Sequence, residues 1–139
     1  MEDPLKILRE FQAASFLRAY ERCVNPPDQG LGNPAIVCAA FSAELGLKEL
    51  LRQRGVSFGR KHRLLKLIEL LPAEDSDAIR SELAEHWPDL DVQLANADNA
   101  FVIWRYFFES PGPIMVNSKF LAALAGVILR KVGGACVAI

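Results

Sequence analysis

Two pairs of opposite charge, each spaced four residues apart, are the groups in this 139-residue sequence best suited to do chemistry. Glu44 and Lys48 lie in PAIVCAAFSAELGLKELLRQR, residues 34–54, and Arg105 and Glu109 lie in FVIWRYFFE, residues 101–109. On a helix, at about 100° per residue, that spacing puts both partners on one face. The neighbours on those faces are apolar: Val37, Ala40, Phe41, Leu47 and Leu51 for the first pair, and Phe101, Val102 and Phe108 for the second. A charge set among such side chains is costly unless it is paired. If the two helices meet, Glu44, Lys48, Arg105 and Glu109 form one four-charge cluster. Such a cluster either fixes helix register or lines a polar pocket suited to phosphate. In the pocket, Arg105 would offer its planar fork, and Tyr106 its hydroxyl or its ring.

His62 stands in Arg60-Lys61-His62-Arg63, at the start of an apolar stretch that reads as a short helix. Cations are out of place at a helix N-terminus, whose own dipole end is positive. Either a bound anion or a nearby Asp or Glu would relieve the misfit. Arg80 and His86, with five residues between them, have a spacing that suits a phosphate clamp and a general base for RNA cleavage, although their surroundings are polar. No Gly-rich phosphate loop, HExxH, GxSxG or metal-type carboxylate cluster is present, so no cofactor or metal is expected.

The elements that must hold these groups read as helices throughout. Residues 5–24 make the first, with Leu5, Leu8, Phe11, Ala14 or Ser15, and Arg18 or Ala19 near helical spacing. A Pro- and Gly-rich break at 25–33 ends it, and Pro34 suits the first turn of the next. On that second helix Ser42, Gly46, Glu49 and Gln53 share the pole opposite the apolar arc. Leu64, Leu65, Leu67, Ile68 and Leu71 are core candidates of a third helix, stopped by Pro72. Asp75 or Ser76 is expected to cap a more polar helix running to Trp87. A helix over 91–110 ends at Pro111-Gly112-Pro113, and the last, 118–132, ends at Gly133-Gly134. No stretch alternates long enough for a strand, so the expected fold is an all-α single domain of five to six helices over residues 1–139.

Composition agrees with a globular chain: 51% hydrophobic, 24% charged and a net charge of -1, which leaves room only for a local basic patch. Cys23, Cys38 and Cys136 are odd in number and show no CxxC, which argues against disulfides and zinc, and two of the thiols are expected to be buried. The longest apolar run, 120–129, is too short for a bilayer, and the start carries Glu2 and Asp3 rather than a signal pattern. A cytoplasmic protein with no membrane contact is expected.

FSAELGLKELL, then Gly55 and Gly59, then KHRLLKLIELLP resembles the HEPN domains of prokaryotes, with their A-E-L-x-L-K-x-L-L helix, a glycine and a G-H-x-L-x-x-L-x-x-x-L-P stretch. FVIWRYFFE is similar to their final core helix, and the likeness extends over roughly residues 20–131. The resemblance implies an all-α bundle of four to six helices, usually a homodimer. It implies a role in toxin–antitoxin, abortive-infection or CRISPR-linked systems, with RNA or a nucleotide as ligand, or a protein partner such as an antitoxin. It marks Glu44, Lys48, His62, Arg105 and Glu109 as the residues carrying the family pattern. Catalytic members carry R-x(4–6)-H on a late helix. Arg105 stands on that helix, but residues 106–112 hold no histidine, and Arg80–His86 fits the expression on the helix before it. The expectation is therefore binding of RNA or a nucleotide, with catalysis in doubt. The alternative is a dimerising helical scaffold for a protein partner.

Overall fold

Helix α2 (Gly32–Gln53) forms the axis of the structure, a computed structural model that describes residues 4–26, 32–98 and 116–133. Around it stand α1 (Lys6–Val24), α3 (Leu64–Leu70), α4 (Ala73–Ala84), α5 (Leu90–Ala97) and α6 (Ser118–Val132). The fold is an all-α bundle, and none of the described residues is in a strand. Among the described residues, no helix is long and apolar enough to cross a membrane. The expected 91–110 helix is seen as α5 in its first part, and the rest of it lies outside the described residues.

Helix α2 is buried on both sides, which its polar pole does not advertise. Ser42 is fully buried and its hydroxyl donates to the Ala13 carbonyl of α1 at 2.8 Å. Glu49, 1% exposed, accepts from Arg9 Nε of α1 at 2.6 Å. Phe16 stacks on Phe41 with ring centroids 5.1 Å apart. Because these contacts run in opposite directions along the two helices, α1 and α2 are antiparallel.

The apolar residues at helical spacing near the start of α1 face solvent: Leu5, Leu8 and Phe11 are exposed, along with Ile7. The buried residues of α1 are Glu10, Ala13, Ala14 and Tyr20. Small alanines let the helix backbones come close enough for the Ser42 and Glu49 bonds, and that rotation turns the large side chains outward. Cys23 and Cys38 are free thiols, half-buried rather than buried. They lie against each other across α1 and α2, and burial, with Cys23 alongside, raises the Cys38 pKa. Cys136 lies outside the described residues.

Helix α6 is capped by Asn117, whose side chain accepts from the Lys119 and Phe120 amides at 2.9 and 3.3 Å. Arg130 and Lys131 in its last turn suit the negative end of the dipole. Its close approach to α2 depends on a glycine. A methyl group at Gly46 would sit 2.9 Å from Ile128 Cγ2 and 3.3 Å from Leu129 Cδ2. Gln53 then donates to the Val132 carbonyl at 3.0 Å, further along the same pair.

Helix α4 begins after Pro72, not at Asp75 or Ser76. Asp75 lies inside the first turn because its carboxylate is engaged elsewhere: Arg54, just past α2, donates Nε and Nη2 to it at 2.7 and 3.0 Å. Lys131 of α6 approaches to 3.9 Å. The Arg54 hydrogen bonds hold the Asp75 pKa below its ordinary value, against the opposing effect of burial. Past the end of α4, Trp87 meets Phe120 of α6 edge to face, at 5.3 Å and 89°.

Two measurements check this packing. Gly46→Val should destabilise the protein by about 2 kcal/mol through overpacking at Ile128, seen as a lower Tm in a thermal melt. Asp75 has a depressed folded-state pKa, so its stabilisation is complete above the ordinary Asp value of about 3.9 and is lost as pH falls through the lower folded value. The stability gap between wild type and Asp75→Asn should therefore be constant from pH 7 to 5 and shrink below pH 4 in urea titrations. A gap that does not vary with pH would contradict the pairing.

Candidate functional site

The site begins with the way α2 ends. Gly55 has φ +72°, a left-handed turn that suits glycine. Its amide bonds the Arg52 carbonyl at 3.1 Å and the next amide, Val56, bonds the Leu51 carbonyl at 2.9 Å. This paired arrangement is a Schellman motif, and it turns the chain back toward α2. Phe58 then comes to rest against two cations of α2, with Lys48 Nζ 5.7 Å and the Arg52 guanidinium 5.2 Å from its ring centre. Four residues later, His62 reaches Glu44 and Lys48.

The far end of the loop is fixed by Asp98, just past α5. Its side chain accepts from Arg63 Nε at 2.9 Å, from Arg63 Nη2, and from the Leu65 amide at 2.7 Å. Its carbonyl accepts from the Leu64 amide at 3.0 Å. Two amides that open α3 are thus capped by a residue distant in sequence. Of the two remedies expected for the cation-rich start of this helix, the acidic neighbour is present and its residue is Asp98.

Glu44, Lys48 and His62 meet in a triangle. Lys48 Nζ donates to Glu44 Oε2 at 3.1 Å, and His62 Nδ1 lies 3.2 Å from both the Glu44 oxygen and the Lys48 nitrogen. Burial is graded across it: the Glu44 side chain is 6% exposed, Lys48 15% and His62 53%. The carboxylate forms the floor, the Lys48 ammonium lies partly buried beside it, and the imidazole stands at the surface. No described residue hydrogen-bonds the buried Glu44 Oε1. Nδ1 is engaged in either tautomer, so Nε2 is the ring atom that turns to a ligand. Arg52, Arg60, Lys61 and Arg63 are exposed around it, giving a local basic surface on a chain whose net charge is -1.

Such an arrangement can donate hydrogen bonds to an anion from an ammonium and an imidazole held side by side. An imidazole oriented by a carboxylate can also carry a proton. Phosphate fits the donor set, since Lys binds it as a point charge and the exposed arginines as forks. Among the described residues, no group of three or more His, Cys, Asp or Glu side chains is arranged to hold a metal ion.

The other sequence candidates fall elsewhere. Arg105, Tyr106 and Glu109 lie outside the described residues, so half of the expected four-charge cluster is not described. Arg80 lies 3.6 Å from Asp91 in an ion pair, while His86 lines a groove of about 560 Å³ with Tyr20, Trp87 and Arg130. Arg80 is not part of that groove, and the groove shares no residue with the triangle. Phe58, Arg52 and Asp98 escaped the sequence reading. For Asp98 no local signal exists, because it acts on residues more than thirty positions away. For Phe58, a lone aromatic between two glycines in a basic loop was a usable hint.

Set beside protein-family models, curated proteins and solved structures, the chain matches none. Removing the anchor tests the loop: Asp98→Ala should cost about 2–3 kcal/mol, from one helix cap and one charged hydrogen-bonded pair, in a chemical denaturation experiment. Asp98→Asn, which keeps an acceptor, should recover part of that loss.

Proposed function

We propose that this chain is a HEPN-like helical bundle that binds RNA or a nucleotide through phosphate at Lys48 and His62. In this reading it works, usually as a homodimer, in a cytoplasmic prokaryotic defence or toxin–antitoxin-type system. The observation that carries it is the triangle. Three residues that bear the family pattern, two of them one turn apart on α2 and the third from the following loop, meet within 3.2 Å and leave a histidine at the surface. The exposed cations at 52, 60 and 61 favour an anionic ligand over a neutral one.

Binding without cleavage is the preferred form. Arg80 is paired with Asp91 and does not line the His86 groove, which supports this preference. A scaffold for a protein partner is the second reading, favoured by one observation: Leu5, Ile7, Leu8 and Phe11 are exposed on the first turns of α1.

Fluorescence anisotropy with a labelled single-stranded RNA octamer at low salt separates the two. We expect binding by the wild type and a loss of about tenfold in His62→Gln, about 1.4 kcal/mol, with an unchanged melting point because His62 is half-exposed. The RNA should run intact on a gel afterwards. Absence of binding by the wild type would reject the RNA reading in favour of the scaffold.

A further inference from the structure

We infer that the ligand of this site is an extended single strand of RNA rather than a lone nucleotide, since a line of cations leads from the triangle along α2 to α1; this rests on the phosphate-binding reading above. The line can be followed contact by contact. Lys48 and Arg52, one turn apart on α2, share the ring of Phe58. Arg52 Nη1 lies 3.7 Å from Glu49 Oε2, the oxygen that also accepts from Arg9. Arg9, Arg52, Lys6 and Gln53 surround Glu49 in a second hollow of about 470 Å³. Lys6 Nζ, at the far end, is 3.8 Å from Glu10. His62, Lys48, Arg52, Arg9 and Lys6 therefore succeed one another across two helices.

Beneath them lie Glu44, Glu49 and Glu10, at 4, 1 and 2% exposure. These carboxylates hold the cations in position yet are hidden from solvent, whereas Arg52 and Lys6 keep 46 and 49% of their side chains exposed. A ligand at the surface meets the cations first. A single nucleotide needs donors that converge on one point, whereas these donors are strung out. A polymer with one charge per residue suits donors set in a row, and its affinity should grow with length and fall with salt.

Oligouridylates of three and twelve nucleotides, labelled and followed by anisotropy over a salt series, test this. Lys6→Gln/Arg52→Gln removes two ridge cations and leaves Arg9 on the buried Glu49; because Lys6 also pairs with the buried Glu10, a thermal melt of the variant accompanies the titration. Arg18→Gln removes one charge, as Arg52→Gln alone does, nine residues beyond Arg9 on α1. We expect the twelve-mer to bind wild type at least tenfold more tightly than the three-mer. The double variant should lose about tenfold for the twelve-mer, and its log K against log salt slope should become shallower by about 1.4, at about 0.7 per phosphate. Arg52→Gln alone should give about half that change in slope. Three-mer binding should fall by clearly less than twelve-mer binding in the double variant, because Lys6 lies beyond its reach, and Arg18→Gln should alter neither ligand. Equal affinity for both lengths, or a double variant that binds like wild type, would overturn the ridge and leave the phosphate site standing. Failure of both oligonucleotides to bind the wild type would overturn the phosphate reading itself, and the ridge with it.

Discussion

Burial of carboxylates beneath a rim of cations is the constraint on which the rest of this bundle depends. Glu10, Glu44, Glu49, Asp75 and Asp98 are the buried charges among the described residues, and no lysine, arginine or histidine joins them. Each of these acids has a basic partner: Lys6, Lys48 with His62, Arg9 with Arg52, Arg54 with Lys131, and Arg63. The asymmetry follows from side-chain length. A carboxylate on a short stem must sit where its backbone sits, while Lys and Arg lay their methylenes along the apolar surface and reach water with the charge. Alone, any of these acids would oppose folding; with a partner, the cost of its desolvation is offset and the geometry becomes specific.

Most of these pairings join different elements, so they do more than neutralise. Arg9–Glu49 fixes α1 on α2, Arg54–Asp75 fixes the end of α2 to the start of α4, and Arg63–Asp98 fixes α3 to the end of α5. The loop at 55–63 is caught between the second and third of these, with the left-handed Gly55 at one end and Asp98 at the other. His62 can meet Lys48 only because both ends of that loop are tied. The electrostatic scheme that holds the helices together therefore also sets the surface at which an anion would arrive.

Much of this was legible in the sequence, though unevenly. Pro72, Gly133 and the four-residue spacings marked the helices and their ends, because these signals are local. Glu44 and Lys48 could be paired from spacing alone, and His62 could be singled out from the unfavourable cations beside it. The helical spacing of Leu5, Leu8 and Phe11 does not say which way they face, and the structure turns them to solvent. What turned the helix was the small Ala13 and Ala14 together with a buried serine and glutamate on α2, a matter of how closely two backbones can approach. Asp98 was invisible for a related reason: a cap supplied from thirty-three residues away leaves no pattern near the helix it closes.

Gly46 carries a consequence beyond the room it makes. With Ile128 and Leu129 seated where its side chain would be, α6 is held in one rotational phase against α2. Turning α6 by a single residue, about 100°, would swing the groove-filling side chains away. It would also carry Lys131 off Asp75 and Arg130 off its partner Glu82. An absent side chain thus works as an indexing notch, deciding from the middle of one helix which way the charges at the end of another must face.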